Sequence, residues 1–139
     1  MGYSDERFVA VPGKIVGKGR PRFFKGHAVT PRATREAEDR VRAAWLTKYP
    51  ASDFQPFSGP VSVYVYIYRP LPASRPKAML SEPDVYRPDL DNVVKLVLDA
   101  LNGVAYGDDA QVVGITASKN PRWRGQEEKL YVNVCEVGK

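Results

Sequence analysis

The chain has 139 residues and a mass of 15.5 kDa, the size of one ordinary domain, so we expect a single domain over residues 1–139. Hydrophobic residues make up 43% and charged residues 27%, as in globular proteins, and no apolar run reaches the ~20 residues of a membrane-spanning helix. A single cysteine and a single histidine argue against an intrachain disulfide and a zinc site. The first residues lack the apolar stretch of a signal peptide, so we expect a cytoplasmic protein without a membrane partner.

The charge is unevenly distributed along the chain, whose formal net charge is +5. Residues 13–42 contain three acidic side chains and nine basic ones: Lys14, Lys18, Arg20, Arg22, Lys25, Arg32, Arg35, Arg40 and Arg42. Residues 89–109 contain one lysine and five aspartates: Asp89, Asp91, Asp99, Asp108 and Asp109. A basic chain with one acidic focus is typical of a nucleic-acid binder that carries a cation site, and two solvated faces of opposite sign are the alternative.

The N-terminal third predicts extended structure followed by a helix. Residues 8–24 read as a first strand or hairpin, interrupted by glycines, with His27 in a solvated loop beyond it. Thr30 followed by Pro31 predicts a helix start, with a capping hydroxyl and proline at the first helical position. A helix of about four turns should follow, because apolar positions recur at spacings of three or four residues.

The central segment predicts a strand and then a long loop. Residues 61–68 alternate between aliphatic and mostly tyrosine side chains, the period of a strand. The tyrosine row could stack on bases or pack against other parts of the protein. Residues 69–88 contain five prolines, so we expect no regular element there; loops of this length are often functional.

The C-terminal segment predicts a second helix and two strands. Apolar residues spaced as one buried helix face are Leu90, Val93, Val94, Val97, Leu98 and Leu101. Asn102 and Gly103 should end this helix as a left-handed cap. Strands over residues 112–118 and 130–137 should flank a basic loop. We therefore expect an α+β fold, a mixed sheet packed with two main α-helices.

Several aspartates and one lysine gather around this second helix. Asp89 and Asp91 stand at its start, and Lys95 follows Asp91 by one turn. Inside a regular helix, the two aspartates would point about 200° apart, so they converge only if Asp89 precedes the helix. Asp108 and Asp109 occupy a short turn between this helix and the next strand. If the helix and strand pack compactly, the turn could come back to the helix.

Convergent carboxylates suit phosphodiester cleavage, because Mg²⁺ takes oxygen ligands and activates water beside the phosphate. A lysine at the site could stabilise the negative charge that develops on the phosphate. Each residue also has a structural interpretation: Asp89 or Asp91 as a helix cap, Asp108 and Asp109 as turn residues, Lys95 as a salt-bridge partner. Composition and spacing leave both interpretations open.

At these residues the sequence resembles the RusA-type Holliday junction resolvases, small endonucleases of bacteria and their phages. The matching motifs are Pro88-Asp89-Leu90-Asp91-Asn92, then Lys95, then Asp99-Ala100-Leu101-Asn102-Gly103, then Asp108-Asp109-Ala110-Gln111-Val112. They lie in a specific order within residues 88–112, a span of about a sixth of the chain. The basic stretch at residues 18–23 is similar to the family's N-terminal region.

The resemblance implies that Asp89, Asp91 and Asp109 bind Mg²⁺, with Mn²⁺ as a substitute, and that Lys95 is the essential lysine. Asp108 matches an acidic neighbour of these ligands. The family acts as homodimers that nick two strands of a four-way junction symmetrically in DNA recombination and repair. No small-molecule cofactor is implied.

Basic side chains elsewhere are candidate phosphate contacts. These DNA-binding candidates are Lys14, Lys18, Arg20, Arg22, Arg122, Arg124 and Lys129. Trp123 could stack on a base or anchor an interface. The alternatives to a resolvase are a nuclease for other branched DNA, a non-catalytic DNA-binding module, and a cation-regulated interaction protein.

Overall fold

The computed structural model describes residues 5–20 and 22–138, and the side chain of Arg22 lies outside this described part. Its main helices are α1 (Arg32–Lys48) and α2 (Leu90–Leu101). Its strands are β1 (Glu6–Pro12), β2 (Arg22–Phe24), β3 (His27–Val29), β4 (Val61–Tyr68), β5 (Ser81–Glu82), β6 (Val112–Lys119), β7 (Arg122–Trp123) and β8 (Lys129–Glu136).

Four strands form the main sheet in the order β1-β8-β4-β6. Strand β8 is antiparallel to both of its neighbours, whereas β4 and β6 are parallel. Parallel neighbours need a crossover connection, and α2, which lies between them in the chain, provides it. Helices α1 and α2 pack on each other and share one core with the sheet. This arrangement confirms the predicted α+β fold with a mixed sheet and two main helices.

The centre of the core is strand β4, whose bounds match the prediction. Val61, Val63, Val65 and Ile67 are all 0% exposed, and the residues between them are half-buried. Strand β8 repeats this alternation beside it. On the opposite face, the ring of Tyr66 lies 6.3 Å from that of Tyr131, so the tyrosine row packs partly within the protein.

Helix α2 also has the predicted bounds, but its buried face is wider than the predicted stripe. Its fully buried residues are Val93, Leu96, Val97, Ala100 and Leu101. Three predicted core residues, Leu90, Val94 and Leu98, are only partly buried. The buried face is shifted around the helix relative to the prediction because α2 packs against α1 as well as against the sheet. Gly103 ends the helix with a left-handed φ of +81°, as predicted.

The start of α1 differs from the prediction by one residue. The helix begins at Arg32, and Pro31 is the residue before it, whose carbonyl accepts a hydrogen bond from the backbone NH of Arg35 at 3.1 Å. No side-chain capping bond is formed here among the described residues, so the predicted Thr30 cap is wrong. In the described ranges, no helix is both long and apolar enough to cross a membrane.

The N-terminal segment is extended as predicted, but its strands pair differently. Strand β1 pairs with β8, at the other end of the chain, while β2 pairs with β3. Residues 8–24 therefore do not form a hairpin with each other. His27 is exposed, as expected, but lies in β3 and not in a loop.

The proline-rich segment, residues 69–88, is irregular except for the two-residue strand β5, which pairs with β7. Ion pairs hold it in place. The carboxylate of Asp84 is 0% exposed and accepts hydrogen bonds from Arg69 at 2.6 and 2.9 Å. Glu82 similarly accepts from Arg75 and Arg122. Internal charge pairing thus orders a loop that lacks regular backbone hydrogen bonding.

Replacing Asp84 with alanine should lower the free energy of unfolding by about 3 kcal/mol, because Arg69 would stay in the interior without its partner. Urea denaturation at pH 7 measures this loss. Asp53→Ala, on an exposed loop, is the control and should change stability by less than about 0.5 kcal/mol. Equal effects of the two variants would contradict the role assigned to Asp84.

The same ion pair predicts a pH dependence. Burial raises the pKa of Asp84, but the hydrogen bonds and positive charge of Arg69 outweigh it and hold that pKa below its ordinary value. A carboxylate with a depressed folded-state pKa contributes its full stability above the unfolded-state pKa. The stability difference between wild type and Asp84→Asn should therefore be constant near neutrality and shrink as the pH falls through the depressed pKa. A constant difference down to pH 2 would contradict this account.

Candidate active site

The start of α2 places Asp89 just outside the helix. Asp89 has extended backbone angles, φ −65° and ψ 145°, and Leu90 is the first helical residue. Asp89 occupies the N-cap position, and its carbonyl accepts from the backbone NH of Val93 at 3.2 Å, but among the described residues its side chain makes no capping hydrogen bond. Asp91 lies in the first turn. Asp89 thus precedes the helix, which is the condition for its carboxylate to converge with that of Asp91.

A cleft runs along this end of α2. Its two adjoining parts share Lys18 and Asn92. The cleft is lined by Gly17, Lys18, Gly19, Arg20, Arg87, Pro88, Asp89, Asp91, Asn92 and Lys95. Asp89 lines one part of this cleft, and Asp91 and Lys95 line the adjoining part together with Lys18 and Arg20 of the N-terminal segment.

Residues 17–20 form one wall because their backbone lies directly on the two helices. The backbone NH of Lys18 donates to the carbonyl of Asn92 at 2.8 Å, and that of Gly19 donates to Oγ1 of Thr34 at 3.0 Å. A Cβ atom at Gly17 would lie 3.0 Å from Cβ of Pro88. Glycine thus permits the close approach that brings a basic segment to the acidic start of α2.

The side chain of Lys18 joins both helices at the cleft. Its ammonium lies 2.7 Å from Oδ2 of Asp99 and 3.1 Å from Oε2 of Glu38. The hydrogen bond that Lys18 donates to Asp99 is the main cause of the raised Lys18 pKa, with burial acting against it and Glu38 adding to it. The predicted phosphate contact Lys18 is therefore paired with two carboxylates of the fold.

Asp109 lies near the far end of α2. It opens the short 3-10 helix Asp109–Gln111, next to Asp108. Burial and the negative charges of Asp99 and Asp108 raise the pKa of Asp109, while a hydrogen bond from Tyr106 lowers it. Tyr106 is fully buried, and burial together with Asp109 and Asp99 raises its pKa as well. Asp99, Asp108 and Asp109 therefore form a second acidic group.

Gln111 fixes the turn that carries this second acidic group. Its side-chain oxygen accepts from the backbone NH of Asp108 at 2.9 Å. Its side-chain nitrogen donates to the carbonyls of Phe57 and Gly59 at 2.8 and 2.9 Å. The Asp-x-x-Gln spacing is a capping-box signal in the sequence. Glu38, in contrast, had no sequence signal that linked it to the site.

The structure places Asp89 and Asp91 at the start of α2 and couples Asp109 electrostatically to Asp99. Asp91, Lys95 and Asp99 follow one edge of α2, and Asp91 and Asp99 are about 12 Å apart along the axis at 1.5 Å per residue. The described part of the chain holds no group of three or more His, Cys, Asp or Glu side chains gathered as a metal site. The oxygen donors fit a hard divalent cation chemically, and Asp109 is coupled electrostatically to Asp99 and Asp108.

The other predicted DNA contacts fall into two groups. Arg122 is 8% exposed, bonds to Glu82 and lies 4.0 Å from the ring of Tyr86. Arg124 donates to carbonyls of the proline-rich segment. Both arginines therefore support that loop. Lys14 and Arg20 are exposed, whereas the side chain of Arg22 lies outside the described part.

Comparison with known proteins identifies relatives over almost the whole chain. The family model described as "Endodeoxyribonuclease RusA" matches residues 12–135. The uncharacterized protein YqaN of Bacillus subtilis strain 168 is 35% identical over 142 aligned residues, which cover 91% of this chain and 94% of that protein. The range matched by the family model includes every residue of the cleft and of the second acidic group.

The electrostatic coupling of Asp99 to Asp109 gives a prediction. Asp99→Asn should lower the pKa of Asp109, because it removes one of the negative charges that raise it. Carbon-13 NMR titration of the side-chain carboxyl groups measures this. Asp108→Asn should act in the same direction, and Asp53→Asn should have no effect. An Asp109 pKa that neither neighbouring substitution lowers would show that the second acidic group is not coupled as described.

Proposed function

Because the chain belongs to the RusA family of endodeoxyribonucleases, we propose that it resolves four-way DNA junctions by paired symmetric nicks. In this proposal Asp89, Asp91 and Asp109 bind Mg²⁺, Asp108 is an additional ligand, and Lys95 assists the cut. The observation that carries the proposal is the cleft in which Asp89, Asp91 and Lys95 lie beside Lys18 and Arg20.

The charges of the cleft suit a phosphodiester. Asp89 and Asp91 offer oxygen ligands at one end of α2, and Lys95 stands one helical turn further. Exposed Arg20 on the opposite wall can receive a phosphate of the DNA backbone. Lys95 would stabilise the charge that develops on the phosphate as the bond breaks. The cleft thus combines groups that hold the backbone with groups that promote hydrolysis.

A divalent metal agrees with both the family and the donor atoms. When bound, Mg²⁺, or Mn²⁺ in its place, supplies an activated water and neutralises charge at the phosphate. Burial and the negative charges of Asp99 and Asp108 raise the pKa of Asp109, and a cation would relieve the repulsion between these charges. Since the described residues hold no gathered group of three such ligands, the proposal requires that the ligand set is completed on binding of metal or DNA, or on pairing of two chains.

Symmetric cleavage favours a homodimer. One chain carries one proposed site, and two nicks on opposite strands need two sites related by a twofold axis. Phosphate contacts from Lys14, Arg20 and Arg22 would add affinity without much sequence reading. We place the activity in DNA recombination and repair, in the cytoplasm of a bacterial or phage-infected cell.

Cleavage of a labelled four-way junction tests the proposal directly. Wild type should make paired nicks on the junction, only with Mg²⁺, and should leave a linear duplex of the same sequence uncut. Asp91→Asn should bind the junction without cutting it, and Lys95→Met should cut about 10²-fold more slowly. Asp53→Asn, away from the cleft, should cut like wild type.

Other outcomes of this assay separate the alternatives. Junction binding without cleavage under any divalent metal would leave a non-catalytic DNA-binding module. Faster cutting of flaps or forks than of four-way junctions would support a nuclease for other branched DNA. Either result would contradict the resolvase proposal.

Metal binding can be tested without DNA. Mg²⁺ at a hundredfold excess over its dissociation constant should stabilise wild type by about 2.7 kcal/mol, which raises the melting temperature by several degrees. Asp91→Asn and Asp109→Asn should each reduce the shift, and Asp53→Asn should retain it. A shift that Asp109→Asn abolishes and Asp91→Asn leaves intact would place the cation at the second acidic group alone.

A further inference from the structure

A small hairpin projects from the wall of the cleft. Strands β2 and β3 pair in antiparallel register, with Phe23 opposite Ala28 and Phe24 opposite His27. The two turn residues, Lys25 and Gly26, have positive φ values of 51° and 80°, as in a type I′ hairpin turn. The turn is therefore tight, and it holds the two strands in a defined register.

The hairpin exposes two aromatic rings that the fold does not use. Phe23 is 80% exposed and Phe24 is 66% exposed, and every residue of β3 is exposed as well. Neighbouring residues of a strand point to opposite faces, so one ring lies on each side of the hairpin. Because an isolated two-stranded hairpin is only marginally stable in water, a partner that covers these rings would also order it.

The base of the hairpin is anchored beside the cleft. Gly19, before the hairpin, donates its NH to Thr34, and a Cβ atom there would lie 3.0 Å from Cγ of Pro31, after the hairpin. The two ends of the hairpin segment thus meet at the start of α1. Arg20, the residue after Gly19, lines the cleft with Asp91 and Lys95. The hairpin therefore rises next to the proposed position of cleavage.

The charge around the hairpin identifies the kind of partner. Residues 13–35 contain no aspartate or glutamate, and their basic residues are Lys14, Lys18, Arg20, Arg22, Lys25, Arg32 and Arg35. The ammonium of Lys25 lies 5.6 Å from the centre of the Phe24 ring. Aromatic rings interleaved with cations match a polyanion that carries flat apolar groups, which is the chemistry of unpaired nucleotides.

We propose that the β2–β3 hairpin enters the branch point of the DNA, where Phe23 and Phe24 stack on bases that are unpaired there. This inference rests on the proposed function and adds specificity-determining residues to it. A linear duplex keeps its bases stacked inside and offers these rings nothing to cover them. The hairpin thus favours branched over linear DNA and brings the branch point to the cleft.

Fluorescence of a four-way junction with 2-aminopurine next to the branch point tests the inference. Binding is measured with Asp91→Asn and no divalent metal, so that no cleavage occurs. Binding of Asp91→Asn should change the 2-aminopurine fluorescence, because a base at the branch point then stacks on a ring of the protein. Adding Phe23→Ala and Phe24→Ala should abolish the change and weaken junction binding about tenfold or more, while linear-duplex binding stays the same.

Matched variants separate stacking from general damage. Leu46→Ala removes another exposed apolar side chain, at the far end of α1, and should leave binding and fluorescence unchanged. Phe23→Trp combined with Phe24→Trp should preserve both signals, because tryptophan also stacks on bases. Since the two rings are largely exposed, the double alanine variant should keep the melting temperature of its parent.

The hairpin inference and the nuclease proposal can fail separately. Parental fluorescence and affinity in the double alanine variant would overturn the hairpin inference, even if wild type cuts junctions. A wild type that cuts no DNA, together with loss of both signals in the double variant, would support the hairpin and reject the nuclease. Loss of self-association in the double variant, with DNA binding intact, would assign the rings to a protein contact and overturn the inference.

Discussion

The contact of residues 17–20 with the start of α2 is the constraint on which the cleft depends. The segment has no regular secondary structure, and ordering its backbone costs about 1–2 kcal/mol per residue. The bond from the Lys18 NH to the Asn92 carbonyl and the pairing of its ammonium with Glu38 and Asp99 offset that cost. Without this contact the cleft would lose one wall, and the hairpin would lose its anchor beside Asp91.

The periodic spacing of apolar residues was enough to predict the strand and the helix that each bury one whole face along their length. Strand β4 and helix α2 have the predicted bounds, because each carries an unbroken period of apolar residues over its length. Pairing was harder to predict. Residues 8–24 were predicted to form a first strand or a hairpin, and the strand is present as β1. The hairpin is absent because β1 pairs with β8, which is distant in the sequence and leaves no local signal. The extra burial of Leu96 and Ala100 likewise depends on how α1 packs against α2.

The candidate site divides in the same way. Asp89, Asp91 and Lys95 lie close together in the sequence and share the start of one helix, so spacing alone predicts their common cleft. The coupling of Asp109 to Asp99, and the pairing of Lys18 with Glu38, join residues from separate elements. These links depend on tertiary packing, so spacing could predict that Asp108 and Asp109 return to α2 but not that Asp109 would be coupled to Asp99.

The number of basic residues in a sequence also does not show which lysine and arginine side chains are available to bind DNA. Arg122 is held by Glu82, Arg124 by backbone carbonyls and Lys18 by two carboxylates, so much of the positive charge stabilises irregular segments of the fold. The exposed side chains of Lys14 and Arg20 form no comparable ion pair or hydrogen bond within the described residues. Of these two, Arg20 offers its charge on the wall of the cleft that faces Asp91, whereas Lys14 lies elsewhere in the N-terminal segment. In this fold, the internal ion pairs decide where the net charge of +5 can act.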